Sequence, residues 1–183
     1  MTLTKRQWIL FTLFIIEFAY TLLNVSLSGD LRILSSNLST LLFLGALYLE
    51  HSFHSKRVLL LSGVWLIVNG IFLLFQLVPS VLLSLHYLSI ILLISLIMSY
   101  IAIYFFSMKY YRSEFFDKKD NIKVTIFALP LILFNIYSIY MFFSMLNTSN
   151  ILLILYGLVG YFSSMIIPVA IILYTWLNYK NIN

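Results

Sequence analysis

The sequence contains no cysteine and few charged residues. Without cysteine the chain can form neither a disulfide framework nor a thiolate metal site, and it has no cysteine nucleophile. Only 9% of its 183 residues are charged and 62% are apolar, whereas soluble domains carry roughly 25% and roughly 45–50% respectively. This balance excludes a water-soluble globular domain. It also excludes a disordered chain, which needs low hydrophobicity and high charge.

Motifs for several common chemistries are also missing. The sequence has no glycine-rich phosphate loop, no His-Glu-x-x-His zinc motif and no Gly-x-Ser-x-Gly nucleophile turn. We therefore expect no cofactor, no metal site and no nucleic-acid partner. The net charge of +5 is explained by basic residues at a membrane boundary, where they attract anionic lipid head groups.

Long apolar runs dominate the sequence, and its mean hydropathy is +1.03. About 20 apolar residues suffice for a helix to cross a bilayer. Six such runs predict six transmembrane helices, at residues 8–28, 33–49, 58–78, 81–106, 124–146 and 151–177. Only short connections are left between them. The expected fold is therefore all-α, a single polytopic helix bundle over residues 1–183, with membrane lipids as its surroundings.

Polar or helix-breaking segments separate these six spans. Residues 29–32 are predicted as a charged turn and residues 147–150 as a polar turn. Residues 50–57 are predicted as a polar loop and residues 110–123 as a charged loop. The break between the third and fourth spans is placed at Pro79 and Ser80, because the residue before a proline disfavours helix.

Basic residues predict the orientation of the spans. With six spans, Arg32 lies on one side of the membrane, and the other lysines and arginines lie on the opposite side: Lys5, Arg6, Lys56, Arg57, Lys109, Arg112, Lys118, Lys119, Lys123 and Lys180. Lysine and arginine in short loops stay cytoplasmic. We therefore expect both termini in the cytoplasm. The small size and a composition rich in isoleucine, lysine and asparagine favour a bacterial plasma membrane.

Glu17 is the only acidic residue inside a predicted span, and it lies near the middle of the first one. An ionised carboxylate is costly there unless it is paired, and acids inside membranes are functional by default. Tyr20 and Asn24 follow at i+3 and i+7, on the same helix face. Glu17 is therefore the candidate catalytic acid.

Other spans carry polar residues at a similar depth. Ser62 and Asn69 share one face of the third span, and Asn135 and Ser164 lie near the middle of the fifth and sixth. We expect them to converge with Glu17 on a polar cavity at the midplane, with these ligand-binding residues: Tyr20, Asn24, Ser62, Asn69, Asn135 and Ser164. The alternative is that asparagine and serine only form hydrogen bonds between packed helices.

The sixth span also has an edge of small residues. Gly160 and Ser164 are four residues apart, a spacing that lets two helices approach closely. This edge predicts close helix packing, either within the chain or in a homo-oligomer. Pro130 and Pro168 predict kinks in the fifth and sixth spans, because each removes a backbone donor.

A resemblance to a known family rests on several stretches. LSSNLSTLL at residues 34–42 is followed by LLLS at 59–62 and VNGIFLL at 68–74, then by residues 95–106 and 155–165. In order and spacing these stretches resemble the lysoplasmalogenase-like YhhN family of membrane proteins. The resemblance implies a polytopic helix bundle that hydrolyses the vinyl-ether bond of a lysoplasmalogen. That reaction begins with protonation of a vinyl carbon, a step for which a buried carboxylic acid is suited.

This chain departs from the family pattern at its polar positions. Asn69 and Gly70 stand where the family carries a Gly-Asp pair, and Ser36 and Asn37 stand where it carries Lys-Pro. Glu17, which matches no position of the pattern, is then the candidate proton donor. The leading hypothesis is a membrane protein that binds or acts on a lipid-like ligand. The alternatives are a non-enzymatic sensor, assembly or partner-binding subunit, and a small transporter.

Overall fold

The computed structural model describes residues 5–28, 31–49, 53–84, 87–112, 116–144 and 151–180, and the regular structure in these ranges is α-helix throughout. The helices are α1 Lys5–Ser28, α2 Leu31–Tyr48, α3 Phe53–Ser84, α4 Tyr87–Arg112, α5 Lys118–Ser144 and α6 Ile151–Lys180. The all-α fold predicted from the apolar runs is confirmed.

Five of the helices are long and apolar enough to cross a membrane. Their apolar segments are Gln7–Ser26, Ser55–Pro79, Tyr87–Arg112, Lys118–Ser144 and Gly157–Leu177. In α2 the apolar segment found among the described residues is shorter, Asn37–Tyr48. The whole of α2 has 18 residues, which at the rise of an α-helix gives a length of about 27 Å.

The bundle is apolar outside and partly polar inside, the reverse of a soluble protein. Phe75, Tyr140 and Leu61 are 74%, 69% and 68% exposed, whereas Glu17 and Asn121 are buried. Exposed apolar side chains on every helix are stable against lipid tails, which are as apolar as they are. This arrangement fits a membrane-embedded protein.

The helices form a closed ring in chain order. Each helix packs against the next, α6 packs against α1, and α6 also touches α2 and α4. Neighbouring helices are antiparallel, as α5 and α6 illustrate. Thr125 near the start of α5 contacts Trp176 near the end of α6, while Asn135 contacts Ser164 further along both helices.

Because neighbouring helices alternate in direction, one end of the ring holds the starts of α1, α3 and α5 and the ends of α2, α4 and α6. This end carries most of the basic residues whose positions the structure describes: Lys56, Arg57, Lys109, Arg112, Lys118, Lys119 and Lys123. The grouping that the sequence predicted for these residues is therefore present in the bundle.

Four predicted boundaries are wrong. The predicted loop at residues 50–57 overlaps α3, which begins at Phe53. The third helix continues through Pro79 to Ser84, because membrane helices tolerate the one backbone donor that a proline removes. The predicted loop at residues 110–123 is helical at both ends, since α4 ends at Arg112 and α5 begins at Lys118. The predicted turn at residues 29–32 overlaps the start of α2 at Leu31. The predicted turn at residues 147–150 lies outside the described residues.

A capping box explains why α5 begins so early. The Asp120 amide donates a 2.7 Å hydrogen bond to the Asp117 carboxylate, and the Asp117 amide donates a 3.3 Å bond to Asp120 Oδ2. The bond from the Asp120 amide holds the pKa of the Asp117 carboxyl below its usual range. The capping bond is therefore present at neutral pH and is lost on acidification. Lys109 Nζ, 3.0 Å from Asp120 Oδ2, ties this start to α4.

Two glycines let α4 approach α3 closely. A Cβ on Gly63 would meet Ser107, and a Cβ on Gly70 would overlap the ring of Tyr100. Gly70 is buried and Tyr100 is half-buried, so the ring lies directly on the backbone of α3. Small residues at membrane helix contacts allow such close approach.

We predict that Gly70→Ala lowers the free energy of unfolding by about 1–3 kcal/mol, the usual cost of overpacking. The measurement is the thermal stability of the detergent-purified protein. Gly45→Ala is the matched control, because the nearest atom to a Cβ there is Phe14 Cε2 at 3.9 Å. Adding Tyr100→Leu to Gly70→Ala should restore stability. Equal stability of the Gly70 and Gly45 variants would contradict the close packing of Tyr100 on α3.

Candidate functional site

Glu17 lies in the seam where α1 packs against α6. Its side chain is 1% exposed, and the Ser163 hydroxyl donates a 2.7 Å hydrogen bond to its Oε2 atom. Oε1 is also buried, and it has no hydrogen-bond partner in the parts of the chain that the structure describes. Burying such an atom without a partner costs free energy. A donor on a ligand would therefore gain from reaching Oε1.

The next residue along α6 makes a hydrogen bond to a different helix. The Ser164 hydroxyl lies 2.8 Å from Asn135 Oδ1 on α5 and also 2.8 Å from the Tyr161 carbonyl. The side-chain Nδ2 of Asn135 donates to the Leu131 carbonyl at 2.8 Å. Two consecutive serines thus connect α6 to α1 on one side and to α5 on the other.

Three of the residues singled out from the sequence therefore belong to one polar belt: Glu17, Asn135 and Ser164. The belt also contains Ser163, which was not among the predicted ligand-binding residues. The available signal was its position, one residue before Ser164 at the same depth of the span. Sequence reasoning missed it because depth alone does not reveal which helix a hydroxyl group faces.

Tyr20 and Asn24 extend the face of α1 that contains Glu17. Asn24 is buried and Tyr20 is half-buried. The Tyr20 hydroxyl oxygen lies 3.6 Å from the position that a Cβ of Gly160 would occupy. The missing side chain at Gly160 therefore leaves room for the Tyr20 phenol against α6.

Ser62 and Asn69 are not brought to this belt. In the described parts of the chain their helix, α3, contacts only α2 and α4. The Ser62 hydroxyl donates to the Leu59 carbonyl of its own helix at 3.1 Å. Asn69 is half-buried, and its buried Nδ2 atom finds no acceptor among the described residues.

An apolar groove of about 440 Å³ follows the α1–α6 seam. Its lining residues are Leu13, Ile16, Val159, Phe162, Met165, Ile166 and Val169. Along α1 they include Ile16, directly before Glu17, and along α6 they lie on both sides of Ser163; Glu17 and Ser163 are not among them. The polar side chains of the belt pair with one another across helix contacts, while the groove beside them offers only hydrocarbon.

Two further predicted positions have partners inside the chain. Gly160 lies beside Tyr20 of α1 and Ser164 is bonded to α5, so the small-residue edge packs α6 between its two neighbours. An oligomer through the same edge stays a prediction. At Gly70, where the YhhN resemblance would place an acid, the Tyr100 ring fills the space of a side chain.

Among the described residues, no group of three or more histidine, aspartate and glutamate side chains is placed to hold a metal ion. Comparison of the chain with protein-family models, with curated proteins and with solved structures finds no match.

We predict a measurable coupling between Glu17 and Ser163. In a double-mutant cycle of Glu17→Met and Ser163→Ala, the coupling free energy should be about 0.6–2 kcal/mol, the range for hydrogen bonds between membrane helices. The measurement is the unfolding free energy in mixed micelles.

Ser138→Ala is the matched control for this cycle, because the Ser138 hydroxyl bonds to the Phe134 carbonyl within α5. Its effect should add to that of Glu17→Met without coupling. Additive effects in the Glu17 and Ser163 cycle as well would show that the bond across the seam contributes nothing.

Proposed function

We propose that the chain is an integral membrane protein of six spans that binds a lipid-like ligand in the α1–α6 seam. Both termini would lie on the cytoplasmic side of a bacterial plasma membrane. The single observation that carries the ligand proposal is the apolar groove along the α1–α6 seam. The same seam buries Glu17, whose Oε1 atom has no hydrogen-bond partner among the described residues.

The six-span topology is supported by α2 and by the basic residues. About 27 Å of helix in α2 nearly matches the hydrocarbon core of about 30 Å, and local thinning of the bilayer accommodates a small deficit. With α2 as a span, the basic end of the ring faces a single side of the membrane. The positive-inside rule makes that side cytoplasmic.

Cysteine labelling tests this topology, because the chain has no cysteine of its own. We predict that Ser149→Cys reacts with a membrane-impermeant maleimide in intact cells, whereas Lys119→Cys reacts only after lysis. If α2 did not cross the membrane, every later connection would change sides. Labelling of Lys119→Cys and protection of Ser149→Cys in intact cells would therefore overturn the six-span proposal.

A lipid-like ligand is supported by the chemistry of the seam. The groove is lined by hydrocarbon over about three turns of α6 and one turn of α1, so it favours an alkyl chain through apolar contact. Glu17 is buried between the same two helices without lining the groove, so a hydroxyl or amide on the ligand would reach Oε1 only by entering the helix contact. Ser163 holds the other oxygen and thereby orients the carboxyl group. The YhhN resemblance points to the same class of ligand, a lipid with a polar group.

Photocrosslinking tests the binding proposal. A phospholipid with a diazirine in its acyl chain should label peptides containing Leu13, Ile16 and Phe162 of the purified protein. We predict that Val159→Trp, which fills the groove, lowers this labelling about tenfold, equivalent to about 1.4 kcal/mol of binding free energy. Leu133→Trp is the matched control, since Leu133 is 56% exposed on another helix. Equal labelling in both variants would refute the seam as a binding site.

The same preparations separate binding from catalysis. If Glu17 is the proton donor of a vinyl-ether hydrolase, Glu17→Gln should abolish turnover of a lysoplasmalogen, because an amide cannot protonate the vinyl carbon. Val159→Trp should instead raise KM. Crosslinking at the seam without turnover by the parent protein would rule out this hydrolysis and leave ligand binding as the function.

A further inference from the structure

The apolar core of the bundle occupies one half of its length. The members of the buried apolar cluster, from Leu10 of α1 to Tyr174 of α6, all lie in the half that ends in the basic residues. The cluster fills the interior there, with the ring of Phe106 in contact with Phe43, Phe116 and Tyr174. A close-packed apolar interior leaves no room for water, so this half of the bundle is closed.

The opposite half of the bundle, which we call the outer half, buries polar side chains. Among them are Glu17 and Asn24 of α1, Ser95 of α4 and Asn135 of α5. Each lies beyond the midpoint of its helix, counted from the basic end. Polar residues inside membrane spans face the bundle interior or a water-filled cavity. The outer half therefore has a polar interior next to the apolar core.

Ser164 indicates that this interior is open. It shares one face of α6 with Ile167 and Ile171, three and seven residues further along, and both isoleucines are buried in the core. Ser164 lies about 10 Å further from the basic end than Ile171, and it is exposed. Because this face of α6 points into the ring, the exposure of Ser164 indicates space inside the outer half.

The inner end of this space offers hydrogen-bond acceptors. Pro168 lies inside α6 and has no N–H, so the backbone carbonyl of Ser164, four residues earlier, lacks its helical donor. Asn135 Oδ1 lies 2.8 Å from the Ser164 hydroxyl, and an amide oxygen can accept a second hydrogen bond. Carbonyl oxygens freed in interrupted membrane helices coordinate small cations. The oxygens of Ser164 and Asn135 therefore favour a small positively charged solute.

We propose that the outer half of the bundle is a water-filled vestibule, open on the side of the membrane away from the basic end, that binds a small cation at Ser164 and Asn135. The apolar core closes the path to the basic side. The cation enters from water, whereas the ligand of the α1–α6 groove enters from lipid. Of the proposed function, this site uses only the orientation of the spans.

Cysteine accessibility tests the vestibule in the full chain, which has no cysteine of its own. The reporters are Ser164→Cys and, one turn further out on the same face, Gly160→Cys, so that a folding defect in one leaves the other informative. The probe is a membrane-impermeant cationic methanethiosulfonate. We expect both reporters to react at least about tenfold faster than Ile171→Cys in the core and Phe162→Cys in the α1–α6 groove, because the reactive thiolate is disfavoured in apolar surroundings.

The side of reaction separates this proposal from the orientation of the chain. Ser164→Cys should react from the side that labels Ser149→Cys and be protected from the side that labels Lys119→Cys, in a comparison of intact cells with inside-out vesicles. An inverted orientation would exchange the two preparations for all three variants and leave this pattern unchanged. Reaction of Ser164→Cys from the Lys119 side would overturn the vestibule, as would two reporters that react no faster than Phe162→Cys.

Charge selectivity tests the cation site. At both reporters, the ratio of the reaction rates with a cationic and an anionic methanethiosulfonate should exceed the ratio at Ser149→Cys by about tenfold, because a cleft lined by acceptors concentrates positive solutes. Pro168→Ala restores a donor to the Ser164 carbonyl and should reduce this excess at Gly160→Cys. Pro130→Ala, the matched change on α5, should not. Equal ratios at the reporters and Ser149→Cys, or equal reductions by the two proline variants, would refute the cation site.

Discussion

Hydrocarbon offers no hydrogen-bond partner, and this constraint governs where the polar side chains of the bundle lie. Many hydroxyl groups among the described residues find an acceptor within their own helix. Those of Thr21, Ser62 and Thr175 donate to a backbone carbonyl three or four residues earlier. Glu17 cannot do so, because a carboxylate accepts hydrogen bonds and the amides within a helix are already used. Its Oε2 therefore requires a donor from another helix, and Ser163 of α6 supplies it.

The need of Glu17 for a donor on another helix is met at the contact between α1 and α6, where the ring of helices closes. The chain order brings each helix against the next, but only side-chain contacts hold α6 to α1 at the two ends of the sequence. The Glu17–Ser163 bond is a directional contact at this closure, and around it the seam is apolar. The first helix thus has two distinct faces, one against α6 with the buried acid and one against α2 with the stacked Phe14 and Phe18 rings. A hydrocarbon groove lies along each face.

The sequence predicted the all-helical fold because long apolar runs have few ways to satisfy their backbone groups away from water, and the helix is the simplest of them. It also grouped Glu17, Asn135 and Ser164, which the hydrogen bonds of Ser163 and Ser164 bring into one belt. It did not predict which helices would meet. Periodicity shows which residues share a face of one helix, but the direction of that face depends on tertiary packing, so Asn69 was placed with Glu17 although α3 contacts only α2 and α4. The break predicted at Pro79 was wrong because a proline ends helices in water more strictly than in a membrane.

Ser163 and Ser164 have one more consequence, which follows from their being consecutive. Side chains of adjacent residues point about 100° apart around a helix, and these two bond to α1 and to α5 respectively. Turning α6 about its own axis cannot shorten one bond without straining the other. The two hydrogen bonds together restrain rotation of α6 about its axis. A displacement of Glu17 would therefore be transmitted through α6 to Asn135.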